Sequence, residues 1–294
     1  MERVSNQNLC KTLVFWRLKL TAKVEYSYIT CKSALSISRL PGLDYSLNPY
    51  VGCEHGCLYC YSRSMLKDEA LALKWGSFVW AKKNLVERLR HDLRHKKRGV
   101  VGVGTITDPY QPLEAKLRLT YNCIELLAAY RFPTSIQTKS TLILRDLELI
   151  KPEKFDVGVT ITTVNVDLAK KLEPKASTPD ARVQIVEEMA NRNIETWVFL
   201  GPIIPFINDD EENFKSIVRV AWKNKSKILY DKLNLKKWVL ESLKPFLEKE
   251  KPELVERLPE ILSPKSGYWL KISKTIQKLC KEKNVECKPA FPYV

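Results

Sequence analysis

Apolar runs rich in β-branched residues recur along the chain, with stretches of helical periodicity between them. These runs predict six strands, at 46–52, 100–106, 134–139, 155–162, 196–204 and 226–233. Strands that are apolar almost throughout and alternate with helices are typical of a parallel sheet covered by helices. Six repeats are too few to close an eight-stranded barrel. We therefore expect an α/β fold, an open and partial TIM-like (β/α)6 barrel with its site at the C-terminal strand ends.

The helical stretches predict a core and an appended region. The stretch "LRLTYNCIELLAAY" carries one apolar stripe that includes Cys123, as expected of a helix packed on the sheet. The segment 236–284 is mostly helical in pattern and is interrupted by prolines such as Pro245 and Pro252. We expect three parts: an N-terminal extension of uncertain order at 1–30, the barrel core at 31–235, and a C-terminal helical region packed on the core at 236–294.

The composition is that of an ordinary globular protein. Hydrophobic residues make up 45% of the 294 residues and charged residues 28%, so the chain can bury a sizeable core. Its apolar runs are shorter than the roughly 18 residues of a membrane span, and its first residues lack the pattern of a signal peptide. We therefore expect a cytoplasmic protein with no membrane partner, in which clustered cysteines indicate metal binding or chemistry rather than disulfides.

The net charge of +15 is unevenly spread, and the first hundred residues carry most of it. The run "RHKKR" at 94–98 follows a helical pattern, and cations in the last turn of a helix complement the helix dipole. The alternative is an electrostatic footprint for a polyanion such as a nucleic acid. The sequence leaves both interpretations open.

Three cysteines fall within eight positions, directly after the first predicted strand. Cys53, Cys57 and Cys60 have the spacing C-x3-C-x2-C, so their thiolates can converge on one metal centre without help from other parts of the fold. Three thiolates would leave one iron of an iron-sulfur cube without a protein ligand, and catalytic metal sites keep such an open position. The alternative is a structural zinc site completed by His55 or a distant cysteine, although a second C-x2-C knuckle is missing.

The pattern C-x3-C-x-aromatic-C, with Tyr59 before the last cysteine, resembles the signature of the radical S-adenosylmethionine (SAM) superfamily. The wider string "LPGLDYSLNPYVGCEHGCLYCYSR" is similar to an archaeal and bacterial subgroup related to spore photoproduct lyase. Further similar stretches, which extend the resemblance over about residues 30 to 285, are "VWAKKN", "TITDPYQPLE", "TKSTLILRDLELI", "LEPKASTPDAR" and "GPIIPFIND". The resemblance implies a 4Fe-4S cluster on Cys53, Cys57 and Cys60, which cleaves bound SAM to a 5'-deoxyadenosyl radical that abstracts hydrogen from a substrate.

The resemblance also implies cofactor contacts at the ends of successive strands. Many members of the superfamily bind the SAM ammonium with a Gly-Gly-Glu run that this chain lacks, so Thr107 and Asp108 would take that role. The alternative for Asp108 is an ordinary Asp-Pro turn. The other cofactor-binding candidates are Tyr59 in the motif, Lys139 for the SAM carboxylate, Thr162 for the ribose and Gly201 for close approach to the adenine.

Four residues are candidates for the substrate side of the site: Lys82, Tyr110, Gln111 and Arg182. For Arg182, a pair with Glu173 and a surface position are the alternatives. The resemblance implies an electron donor such as ferredoxin or flavodoxin, and it leaves open a nucleic acid substrate and with it a repair or modification lyase. A non-catalytic iron-sulfur or nucleic-acid-binding protein is the alternative from a different class, but an electron carrier would normally use four cysteines.

Overall fold

The computed structural model describes residues 24–291, so most of the predicted N-terminal extension lies outside the described residues. The strands are β1 (Glu25–Ile29), β2 (Ser36–Ile37), β3 (Tyr45–Leu47), β4 (Tyr50–Val51), β5 (Phe78–Lys82), β6 (Val101–Val103), β7 (Thr134–Thr138), β8 (Phe155–Thr160), β9 (Glu195–Ile203), β10 (Lys227–Lys232) and β11 (Cys287–Pro289). The helices are α1 (Glu69–Leu73), α2 (Leu85–His95), α3 (Glu114–Leu117), α4 (Leu119–Ala129), α5 (Val166–Leu172), α6 (Pro179–Asn191), α7 (Glu211–Lys223), α8 (Val239–Glu250), α9 (Leu254–Ile261) and α10 (Tyr268–Glu282). Short 3-10 helices span Tyr61–Met65, Thr141–Asp146 and Pro264–Ser266.

The main sheet has the strand order β11-β10-β9-β8-β7-β6-β3-β2. Every neighbouring pair from β3 to β11 is parallel, and β2 adds an antiparallel edge. In the part of the chain that the structure describes, the two edge strands do not pair with each other, so the sheet is an open, partial barrel. All six strands predicted from the apolar runs contribute to it, and the predicted fold class is confirmed.

Alternation along the strands separates two faces of this sheet. On the outer face, Val157 of β8 packs in one apolar core with Ile124 of α4 and Ile185 of α6, and all three side chains are fully buried. The opposite face carries polar side chains. Gln137 of β7 donates from its side-chain amide to Thr160 Oγ1 of β8 at 3.3 Å. The helices therefore cover one face and leave the other to line the inside of the barrel.

A small second sheet, β1-β5-β4, adjoins the main one and was not predicted. Its central strand β5 comes from the run "WGSFVW", in which Phe78 is buried as a core residue. The Phe78 backbone lies so close to Gly52 that a Cβ on this glycine would be 2.5 Å from the Phe78 carbonyl oxygen. Gly52 also has φ +81, a conformation that only glycine adopts readily. Strand β5 therefore fixes the point where the chain leaves β4.

The C-terminal helices build a second apolar core. Leu243 and Leu247 of α8 and Leu258 of α9 pack in it together with Cys57 and Tyr59 of the cysteine motif. Helix α10 packs against α7, and β11 then extends the main sheet beside β10. The C-terminal region therefore both covers the cysteine motif and completes one edge of the sheet. None of the helices in residues 24–291 is long and apolar enough to cross a membrane.

Candidate active site at the cysteine loop

The cysteine motif forms a loop, residues 52–60, that directly follows β4 at the C-terminal edge of the barrel strands. Cys53 and Cys57 are each 6% exposed, whereas Cys60 is half-buried. Burial raises the pKa of the Cys53 thiol, and the neighbouring Asp108, Cys57 and Cys60 raise it further. The three thiols therefore lie close enough to influence one another.

The donor set fits an iron-sulfur cluster better than a single metal ion. Among the described residues, no three His, Cys, Asp or Glu side chains are arranged to hold one ion. Soft thiolates suit iron-sulfur centres, in which each cysteine binds a separate iron. His55, the alternative zinc ligand, lies with Nδ1 3.4 Å from Asp108 Oδ2. The histidine that the zinc alternative would use therefore faces a carboxylate.

Lys139 follows β7 and brings a cation to the cysteine loop. Burial alone would lower the pKa of this ammonium, but the neighbouring Cys57 and Glu173 raise it above its ordinary value. Its Nζ lies 5.9 Å from the ring centroid of Tyr59. Burial raises the pKa of the Cys57 thiol to about 12, and Lys139 opposes that rise. The lysine thus favours the thiolate form in which cysteine binds iron.

Two buried side chains fix the backbone of the loop. Gln111 accepts the Glu54 N–H at 2.9 Å through Oε1 and donates from Nε2 to the Gly52 carbonyl at 3.3 Å. Arg63 donates from Nη2 to the Cys57 carbonyl at 3.2 Å. Because Gln111 is fully buried and both ends of its amide are engaged, it supports the loop instead of facing a substrate.

Asp108 ties the ends of β6 and β7 to the loop. Its Oδ1 accepts the Tyr110 N–H at 2.9 Å and the Thr138 hydroxyl at 2.7 Å, and its Oδ2 accepts the Lys139 N–H at 2.8 Å and faces His55. Burial alone would raise the pKa of this carboxyl, but His55 and the hydrogen bonds lower it to about 2. These four contacts use the acceptor capacity of the carboxylate, so a SAM ammonium would have to displace one of them.

A buried polar network connects four of the predicted residues through Glu173. The Tyr59 hydroxyl donates to Glu173 Oε1, and Thr162 Oγ1 lies 2.9 Å from the same oxygen and 3.2 Å from the Gly201 carbonyl oxygen. Arg182 forms an ion pair with the other carboxylate oxygen of Glu173. The Arg182 side chain is only 1% exposed, so it positions Glu173 and is closed to direct contact with a substrate.

Thr107 and Gly201 stand at strand ends with little free space. The Thr107 hydroxyl donates to the Tyr50 carbonyl at 3.3 Å, and Thr107 is only 3% exposed. A Cβ on Gly201 would lie 2.7 Å from the ring of Phe199, so no larger residue fits there. The Phe199 ring therefore packs directly on Gly201, and the approach of this backbone to the adenine stays a prediction.

Lys82 and Tyr110 lie away from the substrate side that we predicted for them. Lys82 is at the end of β5 that lies farther from the cysteine loop. Phe78, the first residue of the strand, packs on Gly52 at the start of the loop, whereas the Lys82 N–H donates to the Pro49 carbonyl at 3.1 Å. Tyr110 is fully buried, and burial together with the neighbouring carboxylates of Asp146 and Glu114 raises the pKa of its hydroxyl. Both residues belong to the support of the barrel.

The loop and the strand ends around it fall within a known family. A family model described as the radical SAM superfamily matches residues 47–217. The chain belongs to this superfamily. It is therefore a radical SAM enzyme, and its cofactors are a 4Fe-4S cluster and SAM. The resemblance found in the sequence is confirmed.

Several proteins resemble this radical SAM enzyme over most of its length. An uncharacterised protein of Methanocaldococcus jannaschii is 31% identical over 270 residues, which cover 92% of this chain and 98% of the relative. An uncharacterised protein of Mycobacterium tuberculosis is 30% identical over 251 residues, 81% of this chain and 74% of the relative. Spore photoproduct lyase complexed with dinucleoside spore photoproduct shares the fold with a TM-score of 0.68 at 12% identity, over 90% of this chain and 82% of that chain. Streptococcus suis SuiB bound to SAM gives a TM-score of 0.52 at 11% identity, over 91% of this chain and 51% of that chain.

The radical SAM site also contains residues that the sequence analysis missed. Arg63 holds the loop backbone, and the Tyr61 hydroxyl donates to the Thr105 carbonyl at 2.7 Å, across the opening of the barrel. Both follow the last cysteine within three positions, which is the signal that could have indicated them. The sequence analysis also gave no partner for His55, which faces Asp108.

Proposed function

We propose that Cys53, Cys57 and Cys60 each give one thiolate to the 4Fe-4S cluster, which leaves one iron available to SAM. When bound, the cluster and SAM supply the electron transfer and the 5'-deoxyadenosyl radical that abstracts hydrogen from a substrate. The observation that carries this proposal is that three mutually close thiols share one loop at the C-terminal edge of an open barrel.

The residues around the loop bind and orient in this proposal. Lys139 takes the carboxylate of SAM, because no hydrogen bond or ion pair engages its Nζ within residues 24–291. Gly201 lets the backbone approach the adenine. Thr162 orients Glu173 and Tyr59 beneath the ribose, and Asp108 with Thr107 holds the strand ends at which the ammonium would sit. Helices α8 and α9 exclude water from the Cys57 side of the loop.

Iron content tests the ligand assignment. Each of the changes Cys53→Ala, Cys57→Ala and Cys60→Ala should abolish binding of about four irons per chain after anaerobic reconstitution, because each removes one ligand. Cys123→Ala is the matched control, since this thiol is buried in the core under α4, and it should keep its iron. Full iron content in Cys57→Ala would overturn the assignment. With dithionite, the unchanged chain should release 5'-deoxyadenosine from SAM.

A nucleic acid is the second element of the proposal, and the opening of the barrel favours it. The Tyr61 ring is 39% exposed beside Cys60, and Lys236 Nζ lies 5.6 Å from its centroid. A base can stack on this ring once the Lys236 ammonium moves from its face, and the lysine is then close enough to hold a phosphate. The likeness to spore photoproduct lyase, which was solved with a dinucleoside photoproduct, supports the same substrate class. We propose a nucleic acid repair or modification lyase.

The basic run at 94–98 does not lie at the opening of the barrel near Tyr61. It ends α2, and the Tyr45 hydroxyl at the start of β3 donates to the Lys97 carbonyl at 3.0 Å. Because the start of β3 is at the N-terminal edge of the barrel and the cysteine loop is at the opposite edge, these cations cannot hold a substrate at the radical site. Of the two interpretations that the sequence leaves open for this run, the position favours cations that complement the dipole of α2.

Salt dependence and one stacking variant test the nucleic acid proposal. The affinity for a single-stranded oligonucleotide should fall with salt, with a log-log slope of about −0.7 per phosphate contact. Tyr61→Ala should weaken binding by about 1 to 3 kcal/mol, the scale of one stacked base. Tyr28→Ala is the matched control, because this tyrosine is 61% exposed on β1. Equal effects of the two changes, or a slope near zero, would remove nucleic acid from the proposal.

The proposal also covers the electron donor and the cellular compartment of the enzyme. Reductive cleavage of SAM needs an electron donor, for which we propose a ferredoxin or a flavodoxin. We place the enzyme in the cytoplasm, where thiols stay reduced and can bind iron. Copurification of the chain with a ferredoxin or a flavodoxin from a cytosolic extract is the observation that tests both statements.

A further inference from the structure

Two cysteines outside the cysteine loop lie against each other at the junction of α10 and β11. The Cys280 thiol, in the last turn of α10, donates a hydrogen bond to the sulfur of Cys287, the first residue of β11. Cys280 is only 1% exposed, whereas Cys287 is half-buried. Both side chains pack in the main apolar core, and both thiols are free. The radical chemistry proposed for the barrel uses neither of them.

The backbone holds the two thiols together from both sides. Helix α10 ends in a reversal in which the Val285 N–H donates to the Cys280 carbonyl at 2.9 Å. Asn284 in this reversal has φ 54, the left-handed conformation that turns the chain back. The chain then enters β11, where Cys287 is in register with Ile228 of β10. The contact between the two sulfurs is therefore built into the turn and the sheet.

The hydrogen bond makes the two sulfurs unequal. It lowers the pKa of Cys287 below the ordinary value for a thiol, although burial and Glu286 oppose that change. It raises the pKa of Cys280, and burial raises it further. Oxidants react with the thiolate form of cysteine, and a second thiol in contact then completes a disulfide. Cys287 thus has the character of the attacking sulfur, and Cys280 that of the resolving one.

We propose that Cys287 and Cys280 form a redox-active pair that a small peroxide converts into a disulfide. With hydrogen peroxide, the Cys287 sulfur attacks one oxygen, the O–O bond breaks, and the other oxygen leaves as water. The Cys280 sulfur then attacks the sulfenic acid on Cys287, the S–O bond breaks, and a second water leaves. In sum the two thiols lose two electrons and two protons, and the peroxide gains them.

The disulfide joins the end of α10 to an edge of the main sheet. Strand β11 has three residues, and within residues 24–291 it pairs with β10 alone, so few hydrogen bonds hold it. The cross-link restricts the separation of this strand from α10 in the unfolded chain and stabilises the edge. The inference goes beyond the proposed function, because it needs neither the cluster nor SAM.

Peptide mapping tests the pair. The full chain is treated with a small excess of hydrogen peroxide, both before and after reconstitution because cluster iron also consumes peroxide, and is then alkylated in denaturant and cut with trypsin. Trypsin cuts after Lys281 and Lys283, so the disulfide appears as two cross-linked peptides that separate on reduction. We expect most chains to carry this link. Its absence from the oxidised iron-free chain would overturn the proposal.

Oxidation rates at single cysteines provide the matched control. Cys31 is half-buried like Cys287, but burial raises its pKa, and its sulfur donates to Asn84 Oδ1 at 3.5 Å. At limiting peroxide near pH 7, Cys287 should be oxidised about tenfold faster than Cys31, because more of it is thiolate. Equal rates at the two positions would show that the contact with Cys280 does not activate Cys287 and would overturn the pair.

Variants of the pair separate the two steps. In Cys280→Ser, which keeps a hydroxyl donor beside Cys287, dimedone should trap a sulfenic acid on Cys287 and no link should form. In Cys31→Ser the link should form as in the parent chain. Oxidation should raise the urea midpoint of the parent chain and leave that of Cys287→Ser unchanged. Equal shifts in these two chains would overturn the cross-link between α10 and β11.

Discussion

Glu173 and Arg182 form an ion pair in which each side chain is 1% exposed. Removing one charge of a buried pair leaves the other without compensation, which costs about 3 to 5 kcal/mol. We expect Glu173→Gln to lower the free energy of unfolding by that amount in urea denaturation. Glu250→Gln is the control, because its pair with Lys171 lies at the surface, and it should leave the midpoint unchanged. Similar midpoints for the two variants would show that the buried pair adds nothing.

Asp92 of α2 makes the stability of the fold depend on pH. Its carboxylate accepts the Ser33 hydroxyl at 2.7 Å and the Ala34 and Leu35 N–H groups at 2.8 and 2.9 Å. Burial would raise the pKa of this carboxyl, but these bonds, and Lys96 nearby, lower it below its ordinary value. A lowered pKa in the folded state stabilises the fold above the unfolded pKa of about 3.9 and loses that effect as the pH falls through the folded value.

The corresponding experiment compares the parent chain with Asp92→Asn. Near neutral pH the variant should be less stable by about 1 to 2 kcal/mol, because it loses hydrogen bonds to a charged acceptor. The difference in the free energy of unfolding should shrink as the pH is lowered below about 4, where the parent carboxylate becomes protonated. A difference that stays constant from pH 7 to pH 3 would rule out the carboxylate as its source.

The proposed metal ligands could be identified in the sequence because their signal is local. Cys53, Cys57 and Cys60 lie in one loop, so their spacing alone suggests a common centre. Gln111 was assigned to the substrate side because a sequence shows the polarity of a residue and not its partners, whereas the pair of Arg182 with Glu173 was among the alternatives. Gln111 bonds to residues 57 and 59 positions away, and that contact exists only once the strands have assembled.

At the scale of single elements, two glycines that both have a positive φ separate the cost of backbone conformation from the cost of a steric clash. Gly76 has φ +95 and touches Gly56, whereas Gly42 has φ +78 and nothing within 4 Å of its missing Cβ. Alanine at either position pays the left-handed conformational cost of about 1 to 2 kcal/mol. Only Gly76→Ala adds a clash with backbone, so it should lose about 1 to 3 kcal/mol more in urea denaturation.

Iron content separates the two glycine variants further. Gly76→Ala should lower the iron bound after reconstitution, because the clash displaces the cysteine loop through Gly56. Gly42→Ala should bind the same iron as the parent chain. If both variants keep full iron, the packing of Gly76 on Gly56 does not position the cysteine ligands.

The apolar inner strands of the main sheet were predictable, whereas its edge strands β2 and β11 and the strands β1 and β5 of the small sheet were not. Runs such as "FDVGVTIT" are apolar because they are buried on a covered sheet, and that burial is visible in composition. Strand β1 is exposed along most of its length, and β11 has three residues, so neither leaves an apolar run to detect. The boundaries 1–30, 31–235 and 236–294 remain predictions, since β11 shares its sheet with the barrel strands.

At the scale of the whole molecule, the apolar contact between α8 and the cysteine loop links the C-terminal helices to the cluster. Leu247 is fully buried in the core that contains Cys57 and Tyr59. Leu247→Ala should cost about 2 to 5 kcal/mol, the range for a buried leucine that leaves a cavity. It should also speed alkylation of Cys57 in the iron-free chain. Leu270→Ala, at a position 60% exposed on α10, should change neither property.

The distribution of charge illustrates what a sequence cannot show about a molecule. The excess of cations in the first hundred residues is plain in the sequence, but the direction of α2 decides where they lie. Because α2 returns the chain to the start of β6, its basic end is at the edge of the barrel opposite the radical site. That position depends on the handedness and order of the strands, which composition does not contain.

The second core has a consequence for biosynthesis, because α8 and α9 follow every barrel strand up to β10 in the order of translation. A ribosome adds about 5 to 20 residues per second, so for about a few seconds the nascent barrel carries its cysteine loop without the helices that later cover it. Assembly factors that deliver iron and sulfide have their easiest access to Cys57 in that interval. A nascent chain stalled after residue 235, on a linker that clears the ribosome, should be alkylated at Cys57 faster than the released chain, and equal rates would exclude such a window.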